Sequence, residues 1–165
     1  YFHFALNGSD EKQSPNVEFI SFDSRKATKS EAEELNISTG APVFKIYNKL
    51  GLNKKFYIVD KIVISQQKFQ GLSEEIFKNR SNTIYNLYQN KYNIFITNCS
   101  EKLKAISADE KISRLLNITL NAPILKINRV GQTYNNETIE LRTSYVHTSD
   151  IDYIHSQNST FGESI

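Results

Sequence analysis

The chain has 165 residues, a formal net charge of +2, 39 % hydrophobic residues and 23 % charged residues. A chain of this length fits one domain and buries roughly two-thirds of the surface that its unfolded form exposes. It has no run of about 18 apolar residues that would span a bilayer, and no dense block of lysine and arginine that would indicate a nucleic-acid-binding surface. Composition therefore predicts an ordinary globular domain that neither crosses a membrane nor binds DNA by itself.

The first half of the chain is predicted to contain a helix and three strands. Residues 1–15 begin with aromatic side chains and continue into a polar stretch that is typical of a loop. Thr28 and Glu31 form a capping box, which predicts a short helix that ends before Gly40. Runs rich in β-branched and aromatic residues predict strands, the last two of them forming a hairpin, over Val17–Phe22, Val43–Leu50 and Phe56–Ile64.

The second half repeats this order after a connecting region. Residues 81–90 carry apolar side chains at helical spacing, and 93–106 is typical of a long strand. Ser107–Glu110 is interpreted as a second capping box ahead of another helix. Pro123 then precedes a strand, and a polar turn at 134–137 returns the chain into a strand over Thr138–His147.

An internal repeat links the two halves. Leu35–Ile46 and Leu116–Ile127 match at seven of twelve positions and lie 81 residues apart. The chain is therefore built from two related halves, and such halves commonly leave a ligand crevice where they meet. About six strands joined by hairpins, with three or four helices and no regular alternation of strand and helix, predict an α+β fold with a mainly antiparallel six-stranded sheet.

No sequence motif indicates an enzyme or a cofactor site. The chain lacks a glycine-rich phosphate loop, a nucleophile elbow and a zinc-protease motif. Its three histidines lie far apart in sequence, and with Cys99 they make a poor set of metal ligands. We therefore predict no catalytic residue, no cofactor and no metal.

Charged residues inside otherwise apolar strands are the candidate functional residues. Asp60 interrupts the run from Phe56 to Ile64, and Glu140 and Arg142 interrupt the last predicted strand. Both carboxylates lie on the returning strand of their hairpin, one residue out of register with each other. Alternation along the last strand would also fit a solvent-exposed polar face, so both interpretations stay open at this point.

Two segments now suggest a family. Asp109–Arg129, together with Thr138–Tyr145 after the polar turn, resembles the effector-binding UTRA domain of GntR-type transcription regulators in the HutC subfamily. The first half agrees from Leu35 to Asp60, then at Gly71–Leu72, at Ser81–Tyr85 and along the strand that leads to Glu101–Leu103. The resemblance therefore covers nearly the whole chain. It assigns 1–154 to a UTRA-like domain and leaves 155–165 as a polar C-terminal tail.

The resemblance implies a chorismate-lyase-like fold and a homodimer in the bacterial cytoplasm. DNA would be bound only through a winged helix-turn-helix domain that is absent from this sequence. The lack of any methionine likewise suggests a fragment without its N-terminal part, and the single cysteine fits a reducing compartment. The small-molecule effector would be a sugar-like metabolite, with or without a phosphate group.

The family motifs also place the expected effector site. They fall on the hairpin carboxylates, on the start of the helix predicted near residue 83 and on the last strand. Members that bind sugar phosphates carry arginines in the first hairpin strand, where this chain has Asn48 and Leu50, while Arg129 occupies the repeat position of Asn48. The expected effector-binding residues are Asp60, Thr83, Tyr85, Arg129, Glu140, Arg142 and Tyr145.

Alternatives to this interpretation remain at the level of sequence. The same fold can carry a chorismate-lyase-like activity, which would require arginines 25, 80, 114, 129 and 142 to converge on a dicarboxylate. Seven Asn-x-Ser/Thr sequons would fit a secreted interaction domain, but without a signal segment or paired cysteines an Asn-, Ser- and Thr-rich composition is the preferred explanation. Tyr85, Phe2 and Phe4 are candidates for stacking on an effector, with core packing as the alternative role.

Overall fold

The structure, a computed structural model, describes residues 2–9, 11 and 13–155. These residues contain eight strands and four α-helices. The strands are β1 Phe4–Leu6, β2 Asn16–Lys26, β3 Pro42–Leu52, β4 Lys55–Ser65, β5 Asn98–Ser107, β6 Pro123–Gln132, β7 Thr138–Val146 and β8 Ile151–Tyr153. The helices are α1 Lys29–Leu35, α2 Glu74–Lys78, α3 Ile84–Tyr92 and α4 Glu110–Leu116.

Six of the strands form one antiparallel sheet, and their order reflects the repeat. The order is β2-β3-β4-β7-β6-β5, so each half contributes three consecutive strands and the halves meet where β4 pairs with β7. Equivalent elements keep the offset of 81 residues, as shown by β3 and β6, which begin at Pro42 and Pro123. The predicted α+β fold with a six-stranded antiparallel sheet and two related halves is confirmed.

The helix starts of the two halves differ from each other in chemistry. Thr28 caps α1 through a full capping box with Glu31, as predicted. The predicted box at Ser107–Glu110 is wrong, because Ser107 is still the last residue of β5 and Asp109 caps α4 by accepting a hydrogen bond from the Ile112 amide at 2.9 Å. An aspartate oxygen satisfies a free helix amide as well as a threonine does.

Other boundaries also move relative to the sequence prediction. Phe4–Leu6, just ahead of the polar stretch predicted as a loop, forms β1, which pairs with β8 in a separate two-stranded sheet that the sequence did not predict. The strand expected over 93–106 begins only at Asn98, and the short helix α2 was not anticipated. The polar tail expected from residue 155 lies, apart from that residue, outside the described residues.

The two faces of the sheet are covered by different elements. On one side, which we call the helix face, α1 packs over Val43 and Val63, and α4 packs over Val59 and Ile124. The opposite side, which we call the cavity face, is partly covered by α2 and α3 around the buried rings of Phe69, Phe77 and Tyr88. The described helices leave part of the cavity face uncovered, and there the candidate site lies.

Candidate functional site

A cavity of about 570 Å³ lies between the cavity face, the start of α3 and the N-terminal segment. Its volume falls within the range of pockets that hold small molecules. Strands β2, β3, β4, β6 and β7 provide its floor. The polar side chains that line it include Asn48, Asp60, Arg80, Thr83, Arg129, Arg142 and Ser144.

Asp60 and Arg142 form the centre of the polar floor. Their side chains are 5 % and 12 % exposed, and Arg142 Nη1 lies 3.5 Å from Asp60 Oδ2. The Ser144 hydroxyl donates to Asp60 Oδ1 at 2.5 Å. Burial raises the pKa of Asp60, against the opposing influence of Arg142 and Ser144, which favour the carboxylate. Asp60 therefore offers a buried acceptor that is only loosely engaged by its cationic neighbour.

Glu140 holds Arg142 in place from beneath. The carboxylate is completely buried and accepts two hydrogen bonds from Arg142, at 2.8 Å from Nε and 3.1 Å from Nη2. The hydroxyls of Tyr88 and Tyr85, both on α3, donate to it at 2.6 Å and 3.2 Å. Burial alone would lower the pKa of Arg142, but Glu140 and Asp60 outweigh it and raise the pKa well above its ordinary value.

Gly131 in β6 lies beside the contact between Tyr85 of α3 and Glu140. A Cβ atom on Gly131 would lie 3.4 Å from the Tyr85 hydroxyl and 3.6 Å from Glu140 Cβ. Both distances are ordinary van der Waals contacts, so a methyl group at this position would touch the tyrosine and the glutamate without a clash.

Arg129 forms an ion pair of its own, with Glu101 of the neighbouring strand β5. The two arginines lie directly opposite each other on β6 and β7, an arrangement of like charges that costs stability unless each is paired. Glu101 on β5 accepts from Arg129 Nε at 2.8 Å, and the Tyr153 hydroxyl donates to the same carboxylate at 2.8 Å. Each arginine therefore has its own carboxylate.

Arg80 and the start of α3 form the remaining polar wall. Arg80 Nη1 donates to the Phe77 carbonyl at 2.6 Å, and its guanidinium lies 4.4 Å from the centre of the Phe77 ring. Burial lowers the pKa of Arg80, and among the described residues no carboxylate pairs with it. Thr83 caps α3 by accepting from the Asn86 amide, so the positive end of the helix dipole opens toward the same space.

The structure brings together most of the residues predicted for the site. Asp60, Thr83, Tyr85, Arg129 and Arg142 line the cavity. Glu140 lies next to it, but it contacts Arg142 and two tyrosines and does not line the cavity itself.

Tyr145 is not brought to the cavity. It packs on the helix face against α4 and the ring of Tyr47. Side chains of a strand alternate between the two faces, so Tyr145 points away from the side that carries Arg142 and Ser144. Its expected place in the effector site is therefore not met by the geometry.

The repeat relation of the two carboxylates also needs correction. Asn48 pairs with Asp60 across β3 and β4, and its repeat counterpart Arg129 pairs with Arg142 across β6 and β7. The structural counterpart of Asp60 is therefore Arg142, and Glu140 lies two residues away. Asp60 and Arg142 thus occupy equivalent positions in the two halves, carry opposite charges and attract each other.

Sequence reasoning missed several residues of the site. Arg80 lies in the connection between α2 and α3, where no periodicity points to it. Asn48 is only 1 % exposed and lines the cavity. In the sequence it stood out only because family members that bind sugar phosphates carry an arginine in that strand. The sequence places Tyr88 on a helix but does not indicate that its hydroxyl donates a hydrogen bond to Glu140. The stacking candidates Phe2 and Phe4, in contrast, do line the cavity. Their position depends on the pairing of β1 with β8, which joins opposite ends of the chain.

The part of the chain that the structure describes contains neither a metal-binding cluster nor a membrane-spanning helix. Among the described residues no group of three or more histidine, cysteine, aspartate or glutamate side chains is arranged to hold a metal ion. No helix in that part of the chain is both long enough and apolar enough to cross a membrane.

The solved structures that resemble this chain share its fold. One is described as the ligand-binding domain of a GntR-family transcriptional regulator from Bordetella bronchiseptica, with 23 % identity, a TM-score of 0.91 and coverage of 96 % of this chain and 98 % of that one. The effector domain of PhnF from Mycobacterium smegmatis has 18 % identity, a TM-score of 0.72 and coverage of 82 % of each chain. Another structure of PhnF from the same organism has 17 % identity and a TM-score of 0.78, and the match covers 88 % of this chain but 64 % of that one.

Sequence comparison identifies the family. A search of curated proteins gives no match. The family model of the UTRA domain, in contrast, matches residues 10–152, which is most of the chain. The resemblance predicted from the sequence is confirmed, and the chain belongs to the UTRA domain family.

Proposed function

We propose that this chain is the effector-binding domain of a GntR-type, HutC-subfamily transcription regulator. It binds a small sugar-like metabolite, with or without a phosphate group, and performs no catalysis. The observation that carries the proposal is the cavity itself, in which charged side chains from both halves of a UTRA domain converge. The PhnF domain that shares this fold is described as an effector domain, which supports the same role here.

The chemistry of the cavity supports a ligand that both donates and accepts hydrogen bonds. Asp60 is a buried acceptor for ligand hydroxyls, and Ser144 beside it both donates and accepts. Arg80 carries a positive charge without a carboxylate partner among the described residues, and it lies beside the capped start of α3. A helix start and a guanidinium together favour an anionic group on the ligand.

Regulation would follow from the position of the site between the two halves. An effector shifts an equilibrium only if it binds one arrangement of the protein more tightly than another. We propose that the two arrangements are those of a cytoplasmic homodimer, and that a winged helix-turn-helix domain outside this sequence contacts DNA. Residues 1–154 would form the sensing domain in this arrangement.

The positions and partners of the arginines weaken the enzyme alternative. Of the five that a chorismate-lyase-like site would need, Arg80, Arg129 and Arg142 reach the cavity. Arg25 is paired with Glu31 at 2.6 Å, and Arg114 donates to a carbonyl within α4. Arg129 and Arg142 are already neutralised by carboxylates. Of these three, Arg80 alone has no carboxylate partner among the described residues, and one such charge is too little for a dicarboxylate.

Calorimetric titration with sugars and sugar phosphates tests the proposal. We expect at least one ligand to bind, and we expect Asp60→Ala and Arg80→Ala each to weaken it by roughly tenfold, since each removes a charge-assisted hydrogen bond. Glu137→Ala serves as the control, because Glu137 is exposed and lies outside the cavity. Unchanged binding in both cavity variants would refute the site, and release of 4-hydroxybenzoate from chorismate would refute the absence of catalysis.

A further inference from the structure

The floor of the cavity changes from apolar to polar along the strands. Val17, Leu50 and Ile58 are paired in one row across β2, β3 and β4, and all three line the cavity. Two residues further along, the row contains Asn48 and Asp60. Two residues of a strand span about 6.6 Å, so an apolar end and a charged end lie within the length of one small molecule.

Aromatic side chains wall the apolar end from the opposite side. Phe4 of β1 is 5 % exposed and belongs to the same buried cluster as Ile58. The Phe2 ring packs edge-on against it with the ring centres 5.7 Å apart, and Tyr153 of β8 packs against it at 5.4 Å. The N-terminal segment and the last strand thus place apolar surface on this side of the cavity as well.

A fully hydroxylated ligand would fit this end poorly. A hydroxyl group that is moved from water to an apolar wall without a hydrogen-bond partner loses stability, whereas a methylene group gains it. Val17 is 48 % exposed at this end, so apolar surface is still open to water and available for a ligand to cover. The cavity therefore favours different chemistry at its two ends.

We propose that the effector is amphipathic, with a polar head toward Asp60 and the arginines and an alkyl or aryl arm against Leu50, Ile58 and Phe2. This inference rests on the proposed function, because it assumes that the cavity is the effector site. It narrows the ligand class from sugar-like metabolites in general to those that carry an apolar substituent.

Two short ligand series test the inference. Methyl phosphate is compared with hexyl phosphate, and methyl glucoside with hexyl glucoside, so that each pair shares a head and differs in the arm. A fully buried methylene adds about fourfold in affinity. Burial of only two or three of the five added methylenes is therefore enough for hexyl members to bind roughly 30-fold tighter than methyl members of a head that binds. Calorimetry with the full chain measures both.

The outcomes separate the inference from the proposed function. Binding of methyl members without a gain from the longer arm would overturn the inference and leave the proposed function standing. Failure of both heads at every length, together with failure of the sugars and sugar phosphates, would overturn both.

Variants locate the arm within the cavity. Leu50→Asn introduces a polar group into the apolar row, and Phe2→Ala removes a wall that is not part of the buried core. Each should reduce the hexyl-to-methyl ratio by roughly fivefold or more. Leu120→Asn, at a residue that is 51 % exposed and outside the cavity, is the matched control. An unchanged ratio in Phe2→Ala and in folded Leu50→Asn would refute this placement.

Discussion

The helix face and the cavity face carry the same repeat, but the helix face keeps more of its symmetry. On the helix face, α1 and α4 occupy equivalent positions and pack through equivalent residues, such as Leu35 and Leu116. On the cavity face, Asn48 and Arg129 are equivalent in position and different in chemistry, and Asp60 is matched by Arg142.

The difference shows which part of a repeat is constrained by packing and which part is available for recognition. Helices on both halves need the same apolar surface, because each buries a similar face against the sheet. A ligand without two-fold symmetry needs unlike groups on its two sides, and equivalent positions with unlike side chains provide them. The cavity face is therefore where the repeat can depart from symmetry without loss of the fold.

The largest expected effect concerns the buried carboxylate on the cavity face. Glu140→Ala removes the acceptor for Arg142, Tyr85 and Tyr88, and leaves Arg142 with only the more distant Asp60. Breaking one partner of a buried ion pair costs about 3–5 kcal/mol of unfolding free energy. Urea denaturation monitored by circular dichroism measures it.

A matched carboxylate on the protein surface serves as the control for that variant. Glu137 pairs with Lys68, and its side chain is 54 % exposed. Glu137→Ala should change the unfolding free energy by less than about 0.5 kcal/mol. Equal losses in the two variants would mean that Glu140 has no special structural role.

The second prediction compares tyrosines on the two faces. Tyr85→Phe removes a hydroxyl that bonds to Glu140, while the ring stays 5.3 Å from the Arg142 guanidinium. Loss of this hydrogen bond should weaken ligand binding roughly fivefold, which corresponds to about 1 kcal/mol. Tyr145→Phe on the helix face should leave the affinity unchanged. Calorimetry with the tightest ligand found measures both affinities. An equal loss of affinity in the two variants would show that ligand binding does not depend specifically on the cavity face.

The sequence was sufficient for those parts of the site that depend on local pattern. Hairpins and the repeat placed Asp60 and Arg142 on returning strands, and alternation puts Glu140 and Arg142 on one side of β7. The same alternation excludes Tyr145 from that side, since it lies three residues from Arg142. The strand period alone therefore predicts that Tyr145 lies on the opposite face of the sheet, as the structure shows.

Other parts of the site depend on contacts between distant segments. The charged side of β7 faces a cavity, and not solvent, because α3 and the N-terminal segment lie over that side of the sheet. Both segments are far from β7 along the chain. β1 and β8 have three residues each, too few for a clear period. Arg80 lies outside regular structure, so only its position in space marks it as part of the site.

Helix starts provide a third, smaller test, on the symmetric face. Thr28→Ala and Asp109→Ala each remove the side chain that accepts a hydrogen bond from a free helix amide. Each should lower the unfolding free energy by about 1 kcal/mol. Ser107→Ala should be nearly neutral, because Ser107 does not cap α4. A larger loss for Ser107→Ala than for Asp109→Ala would restore the capping box that the sequence suggested.

The last test is a dependence on pH at a position where the two halves differ in charge. Arg25 and Glu31 form two hydrogen bonds, at 2.7 and 2.6 Å, and their counterparts in the second half are Ile106 and Ile112, which carry no charge. Hydrogen bonding to Arg25, against the opposing effect of burial, lowers the pKa of Glu31 from 4.5 to about 2. A lowered pKa in the folded state means that the unfolded chain takes up the proton first as the pH falls.

The stabilisation from Glu31 is therefore complete above about pH 4.5 and is lost as the pH falls toward 2. Glu31→Gln should be less stable than the unmodified chain at pH 6, and this difference should shrink steadily between pH 4.5 and 2. Ile112→Val, its counterpart at α4, should show a deficit that does not vary with pH, because neither side chain titrates. Urea denaturation at several pH values measures both differences. A constant deficit for Glu31→Gln across this range would mean that the capping box stabilises α1 without help from the charge of Glu31.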